Sequence, residues 1–324
     1  MNPVLLITID TEGDNSWSRP TEITTRNSLF LPRFQCLCEK FQFKPAYLTN
    51  YEMAIDDAYV EFAKDTLARG HAEIGMHLHA WHSPPYYDLT GNDFYYQPYL
   101  IEYPNNILYD KIQFMTDLLE DVFEVKMLSH RAGRWAINSI YAKTLVDLGY
   151  KIDCSVTPCV DWRLHQGSQQ GQGGVDYRGF PNQEYFMDMD SIHTQGSSDL
   201  LELPMTIMQA EDNIGISYLR SIPVIRAKIN RRRPSPVWFR PNGHNRKAMK
   251  SVLDHCIGEG RPYVEFMTHS SELMPGGCPT FPDQRSIDKL YFDLEDVLSY
   301  AQSLGFVGMT PANYRQIRYQ ETLA

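Results

Sequence analysis

The sequence predicts an α/β fold built on a parallel sheet or barrel. Short β-rich runs alternate with helical patterns along most of the chain, and the apolar period changes from two to about 3.6 between them. The chemically interesting side chains, moreover, fall where the strands end. Candidate strands cover residues 4–10, 45–50, 73–79, 127–133, 152–158, 200–206, 237–242, 264–269 and 306–311.

The first strand, Val4-Leu5-Leu6-Ile7-Thr8-Ile9-Asp10, begins almost at once and ends on a carboxylate. The clearest helix spans 286–304, with Ile287, Leu290, Leu294, Val297, Leu298, Ala301 and Leu304 on one face and Gly305 as its stop. A second runs over 138–148 and ends at Gly149; a third covers 107–122. The alternation lapses twice. Residues 83–106 are rich in Pro, Tyr and Asn and read as a long structured loop. Residues 161–198 contain the run Gln166 to Gly174, read as too flexible for core structure. Loops of this length are usually lids or binding loops. No repeat or linker divides the chain, so residues 1–324 are expected to form one domain with two insertions.

Composition narrows the function. With 43% hydrophobic and 22% charged residues the chain reads as a soluble globular protein. A net charge of -10 argues against nucleic acid as the main partner, because phosphate binding needs a basic surface. The cluster Arg231-Arg232-Arg233 runs against that balance: it is either a solvated loop or a contact for an anionic substrate. No run approaches about 18 apolar residues, so no membrane span is expected. The start has no leader pattern, which points to the cytoplasm. The six cysteines form no Cys-x-x-Cys pair and read as reduced thiols rather than a zinc ribbon.

The polar residues define a candidate site. Asp10 and Glu12 follow the first strand, His77 and His79 end the third, and Arg131 ends the fourth. Asp153 lies on the next, Arg240 and Asn242 end another, and His269 ends the one after it. In parallel α/β barrels the active site lies at the face where strands end, so such residues converge in space. His77 and His79, at i and i+2, point the same way from a strand and could grip one ion. If the chain turns after His77, His82 could swing into range instead. A carboxylate with two imidazoles and an open position is the pattern of a catalytic metal site. Such ligands suit Zn2+, with Co2+, Ni2+ or Fe2+ as rivals. Of Asp10 and Glu12, one can bind the ion while the other takes a proton from water.

At this point the motifs resemble the polysaccharide deacetylases, the NodB-like or carbohydrate esterase 4 group, along almost the whole chain. Ile7-Thr8-Ile9-Asp10-Thr11-Glu12 is similar to the family's acidic motif, and Glu73-Ile74-Gly75-Met76-His77 to its second motif. Ser129 to Trp135 resembles the arginine motif, Asp153-Cys154-Ser155 the fourth, and Met267-Thr268-His269-Ser270 the final histidine motif. The Asp-Thr-Glu and His-Leu-His-Ala-Trp variants look most like the branch associated with lipopolysaccharide biosynthesis (WalW-like proteins). The resemblance implies a distorted (β/α) barrel of seven or eight strands. It also implies Asp10 as general base, Glu12 as metal carboxylate, His77 as first imidazole ligand, and Arg131 holding Asp10 ionised. His269 would be the general acid, its pKa supported by Asp153. Arg134, Trp135, Arg240, Asn242 and His244 are the expected substrate contacts.

Two departures stand out. Thr11 separates the carboxylates and Glu replaces the family's second Asp, so the roles of Asp10 and Glu12 could be exchanged. The second imidazole of the family falls at Trp81 here, which leaves His79 first and His82 second as the replacement. The expected activity is metal-dependent removal of an N-acyl group from a sugar or a nucleotide- or lipid-linked sugar. The rival readings are a small-molecule amidohydrolase and a non-catalytic carbohydrate-binding barrel.

Overall fold

The computed structural model describes residues 2–20, 22–209, 214–222, 225, 228–229 and 236–323. The Arg231–Arg233 cluster therefore lies outside the described residues. Strand β1 (Val4–Thr11) is buried along its whole length and forms the centre of the sheet. It pairs in parallel with β10 (Tyr263–His269) on one side and with β2 (Pro45–Thr49) and the short β11 (Val307–Gly308). From β2 the sheet continues through β3 (Glu73–Leu78), β4 (Ser129–Ala132), β5 (Ile152–Asp153) and β7 (Leu201–Glu202), to antiparallel β6 (Tyr185–Phe186) at the edge. A separate antiparallel pair joins β8 (Ile207–Met208) to β9 (Val237–Trp238).

The sheet curls into a half-barrel, and among the described residues strand pairing does not close it. The distorted barrel expected from sequence is met in its curled parallel sheet, but not in full closure. Between β7 and β10 the chain is joined by isolated bonds: Phe239 N–H to Thr206 O at 3.0 Å and Met267 N–H to Phe239 O at 3.3 Å. Side chains take backbone groups that a ladder would use. The Thr206 hydroxyl accepts the Glu265 N–H at 2.8 Å, and Glu202 accepts the Val156 N–H at 2.9 Å. The predicted strands at 152–158, 200–206, 237–242 and 306–311 are accordingly reduced to two paired residues each.

Helices such as Asn105–Phe123 and Gln284–Ser303 pack their apolar faces into the core beside the sheet. In chain order the helices are α1 (Leu31–Lys40), α2 (Tyr51–Ala54), α3 (Asp57–Ala68), α4 (Asp93–Tyr96), α5 (Asn105–Phe123), α6 (Ser139–Asp147), α7 (Ile214–Ser221), α8 (Arg246–Gly258), α9 (Gln284–Ser303) and α10 (Pro311–Leu323). Helix α9 starts two residues before its predicted bound because Asp283 caps it, accepting the Ser286 N–H at 2.8 Å. Its stripe from Ile287 to Ala301 packs into the main core, together with Leu5, Ile7 and Ile9. Asn138 caps α6 in the same way. Among the described residues no helix is long and apolar enough to cross a membrane. All six cysteines are unpaired.

The alternation of β1 sets the interior. Val4 and Leu6 join Ile152, Leu201, Tyr263 and Tyr314 in an apolar floor. Two residues on, Thr8 meets Arg131 and Glu265; two further, Asp10 also meets Arg131. The interior thus changes from apolar floor to charged mouth along one strand, which is the period-two rule applied to a curled sheet.

Candidate active site

Asp10 and Glu12 leave β1 on the same face, and their environments differ. Asp10 accepts a hydrogen bond from Arg131 at 2.6 Å, and its other oxygen lies 3.8 Å from His269 Nε2. Burial pushes this carboxyl up, but the charges of Arg131, His77 and His269 outweigh it and hold the pKa at about 2. Glu12 instead faces the imidazoles. Its Oε2 is 2.7 Å from His79 Nε2 and 3.8 Å from His77 Nε2, and those two nitrogens are 3.1 Å apart. Burial raises the Glu12 pKa against the opposing pull of the histidines.

These three side chains fit a metal ion. Their ligand atoms all lie within 4.8 Å of one another, and all three residues are buried. At such separations one point lies about 2.0–2.2 Å from each atom, the ligand distance of Zn2+. His77 Nδ1 lies 3.0 Å from the Arg131 carbonyl, so it donates its proton there and turns the Nε2 lone pair toward Glu12. Burial lowers both imidazoles, His77 to about 4 and His79 to about 3, so both are neutral ligands near pH 7. His82 is occupied elsewhere: its Nε2 is 2.7 Å from Glu52 Oε2, while Glu52 Oε1 accepts the Gly13 N–H at 2.6 Å. Trp81 packs its ring 4.2 Å from that of His79 and lines the cavity.

Arg131 is completely buried and holds several groups at once. It donates to the Cys154 carbonyl at 2.8 Å, to Thr8 Oγ1 at 2.7 Å, to Asp10 and to Glu265. Glu265 was not anticipated from sequence. Burial raises its pKa to about 7 even though Arg131 and Thr8 pull it down.

His269 is served by Glu272, and the expected role of Asp153 is corrected. Glu272 Oε2 accepts the His269 backbone N–H at 2.9 Å and lies 3.5 Å from its Nδ1. Burial lowers the His269 pKa, but the Glu272 hydrogen bond and charge overcome it, against Arg240, and the net shift is upward. Asp153 pairs instead with His130 at 2.7 Å and accepts from the Ser155 hydroxyl at 2.7 Å. The reason is register: His130 and Asp153 are paired across β4 and β5.

A cavity of about 410 Å³ joins these groups. Its wall includes Asp10, Glu12, His77, His79 and His269, together with Arg134, Trp135 and Arg240. Arg134 and Trp135 both have positive φ, 55° and 62°, a conformation that costs non-glycine residues energy and turns the chain sharply after β4. Arg240 reaches Glu272 at 2.7 Å. Asn242 and His244 do not line this cavity. Both are exposed in the turn before α8, where the Asn242 side chain accepts the His244 N–H at 3.0 Å. Asn242 lines a neighbouring cavity together with Arg240 and Trp162.

Other wall residues come from loops whose sequence carries no period: Trp17, Arg19, Gln97, Tyr99, Trp162 and His165. The segment from Gln166 to Gly174 lies outside the core with Gln166, Gln169, Gln170 and Gln172 exposed, while several of its glycines approach neighbouring groups closely. A Cβ on Gly171 would sit 1.6 Å from Glu102 Oε1, and one on Gly173 (φ 78°) would sit 2.1 Å from the Arg163 carbonyl. Two contacts close this loop onto the 83–106 insertion and the site: Tyr99 Oη donates to the His165 carbonyl at 2.7 Å, and Arg134 to that of Gln166 at 2.9 Å.

The curled sheet has known counterparts. A candidate glycoside hydrolase/deacetylase from Parabacteroides distasonis matches with a TM-score of 0.62 at 9% identity, over 98% of this chain and 71% of that one. A candidate polysaccharide deacetylase from Mycobacterium smegmatis matches with a TM-score of 0.52 at 12% identity, over 98% and 91%. The chain shares its fold with these two proteins. No protein-family model and no curated protein sequence matches the chain. At such low identity the likeness is one of architecture, and the chemistry rests on the side chains.

Proposed function

We propose that this protein is a divalent-metal-dependent hydrolase that removes an N-acyl group, N-acetyl in the first instance, from a sugar or sugar precursor. One observation carries the reading: an ionised carboxylate, Asp10, and a histidine of raised pKa, His269, face each other at 3.8 Å beside the Glu12, His77 and His79 cluster. That is a base, an acid and a metal-ligand set at one mouth.

Glu12, His77 and His79 would hold the ion, with Zn2+ the best match to one carboxylate and two imidazoles. The ion supplies Lewis acidity toward the acyl oxygen and the attacking water. The protein's own groups do the proton work. Asp10, fixed by Arg131, takes a proton from the water as it adds to the acyl carbon. His269 delivers a proton to nitrogen as the C–N bond breaks, giving a carboxylic acid and a free amine. The deacetylase-type fold and the aromatic walls of Trp81, Trp135 and Trp162 support a sugar, since flat apolar faces pack well on sugar rings. The sequence variants shared with the lipopolysaccharide branch support a surface-polysaccharide precursor.

The test is metal content and acetate release from N-acetylated amino-sugars and their nucleotides, for wild type and His77→Ala. The variant should lose both metal and turnover. Full activity in the variant would sink the mechanism, and ammonia release from cyclic amides without acetate release would transfer the site to a small-molecule amidohydrolase.

A further inference from the structure

The positive charges around the cavity divide into matched and unmatched. Arg131 is paired with Asp10 and Glu265, and Arg240 with Glu272. Arg19 and Arg134 line the same cavity, and among the described residues neither has a carboxylate oxygen within 4.0 Å. Arg134 is half-buried; it donates to the carbonyls of Gln97 and Gln166, and its guanidinium lies 4.0 Å over the Tyr99 ring. Arg19 is exposed, with its guanidinium 5.3 Å over the Tyr95 ring. Glu102 acts on the Arg134 charge only from beyond ion-pair distance, because its oxygens are held by other groups. It accepts the backbone N–H groups of Tyr99 and Ser168 and the Ser168 hydroxyl.

Resting on the deacylase reading, we infer that the sugar substrate carries an anionic group, a carboxylate or a phosphate ester, bound between Arg19 and Arg134. In a chain of net charge -10, two neighbouring guanidiniums without acidic partners are not a consequence of a generally basic surface. They are fixed by backbone carbonyls and aromatic faces, which hold a guanidinium in place without neutralising it. Burial is the main cause that lowers the Arg134 pKa; Tyr99 and Glu102 oppose it, and the Arg19 charge adds a smaller push downward. Forked donors of this kind recognise carboxylate and phosphate oxygens in pairs.

The experiment compares acetate release by the metal-loaded protein from a neutral N-acetylhexosamine, its C6 uronate and its 1-phosphate. At least one anionic sugar should show a kcat/KM tenfold or more above the neutral one. The uronate arm identifies a carboxylate and the phosphate arm a phosphate ester. In Arg19→Gln and Arg134→Gln that ratio should shrink at least fivefold. Equal turnover of all three sugars would overturn the inference and leave the deacylase reading standing. If no sugar is hydrolysed, the deacylase reading fails, and calorimetric titration with glucuronate and inorganic phosphate decides the anion site alone. Binding that weakens tenfold in Arg19→Gln supports it, and identical binding in wild type and variant refutes it. Arg19 is solvent-exposed, so its replacement tests the charge without disturbing the packing around Arg134.

Discussion

Glu272 reaches His269 twice: its Oε2 accepts the backbone N–H at 2.9 Å and lies 3.5 Å from the ring Nδ1, while Oε1 takes Arg240 at 2.7 Å. Arg240 Nη2 also approaches the ring Nδ1, at 3.2 Å, so the imidazole sits between a carboxylate and a guanidinium, and the carboxylate prevails on its charge. The His269 pKa is raised, so the protonated form is kept to higher pH, and a reaction that needs it fails as pH rises through that pKa. Glu272→Gln removes the negative charge and should move the alkaline limb of the kcat/KM profile to lower pH. Asp153→Asn, which acts on His130, should leave that limb where it is. Identical alkaline limbs in wild type and Glu272→Gln would refute the pairing.

Glu265 shares Arg131 with Asp10, so one guanidinium faces two buried carboxylates. Among the described residues its Oε2 has no hydrogen-bond partner. The folded-state pKa, about 7, stands above the ordinary 4.5, so between those values the folded chain binds more protons than the unfolded one. Stability from this group is therefore lost as pH rises from about 4.5 through 7. Denaturant unfolding at pH 5 and pH 8 should show a larger loss in wild type than in Glu265→Gln, by about 1–3 kcal/mol. Comparing the two proteins cancels the titration of the histidines they share.

The legible part of the site was the part governed by strand alternation. Asp10 with Glu12 and His77 with His79 stand two residues apart, and that spacing alone puts each pair on one face. Which strand neighbours which is not written in local spacing, so Asp153 was assigned to His269 when its register places it against His130. The true partner did leave a signal: Glu272 stands three residues after His269, and the 3-10 turn Ser270–Leu273 brings it back to the ring. Glu265 was visible too, as one charge inside the apolar run of β10. Trp17, Arg19, Trp162 and His165 lie on loops without periodicity, and only tertiary packing brings them to the cavity. Barrel closure failed for a related reason, because side chains such as Thr206 take backbone groups that a strand pattern assumes are free.

The division between His79 and His82 can be tested on metal content. His79→Ala removes a nitrogen 2.7 Å from Glu12 and should weaken metal binding at least tenfold. His82→Ala should keep the metal and lose stability, by about 1–3 kcal/mol, because it strips the partner from buried Glu52. Elemental analysis and thermal unfolding of the two variants separate these effects. Metal loss confined to His82→Ala would reverse the assignment.

The loop that carries Trp162 and His165 depends on its glycines for closeness. Gly173 has φ 78°, and an added Cβ would meet the Arg163 carbonyl at 2.1 Å, a backbone atom that cannot rotate away. Gly173→Ala therefore combines left-handed strain with a backbone overlap, and about 1–3 kcal/mol of stability should be lost. The displaced segment holds Arg134 through the Gln166 carbonyl and Tyr99 through that of His165, so the effect should reach the substrate wall. Asp10 and His77 lie on β1 and β3, Glu12 and His79 follow directly after those strands, and all four should stay in place. The expected outcome is a KM raised several-fold with metal content unchanged, together with faster proteolysis within residues 161–178. A variant with wild-type KM and protease resistance would mean that this loop does not shape the site.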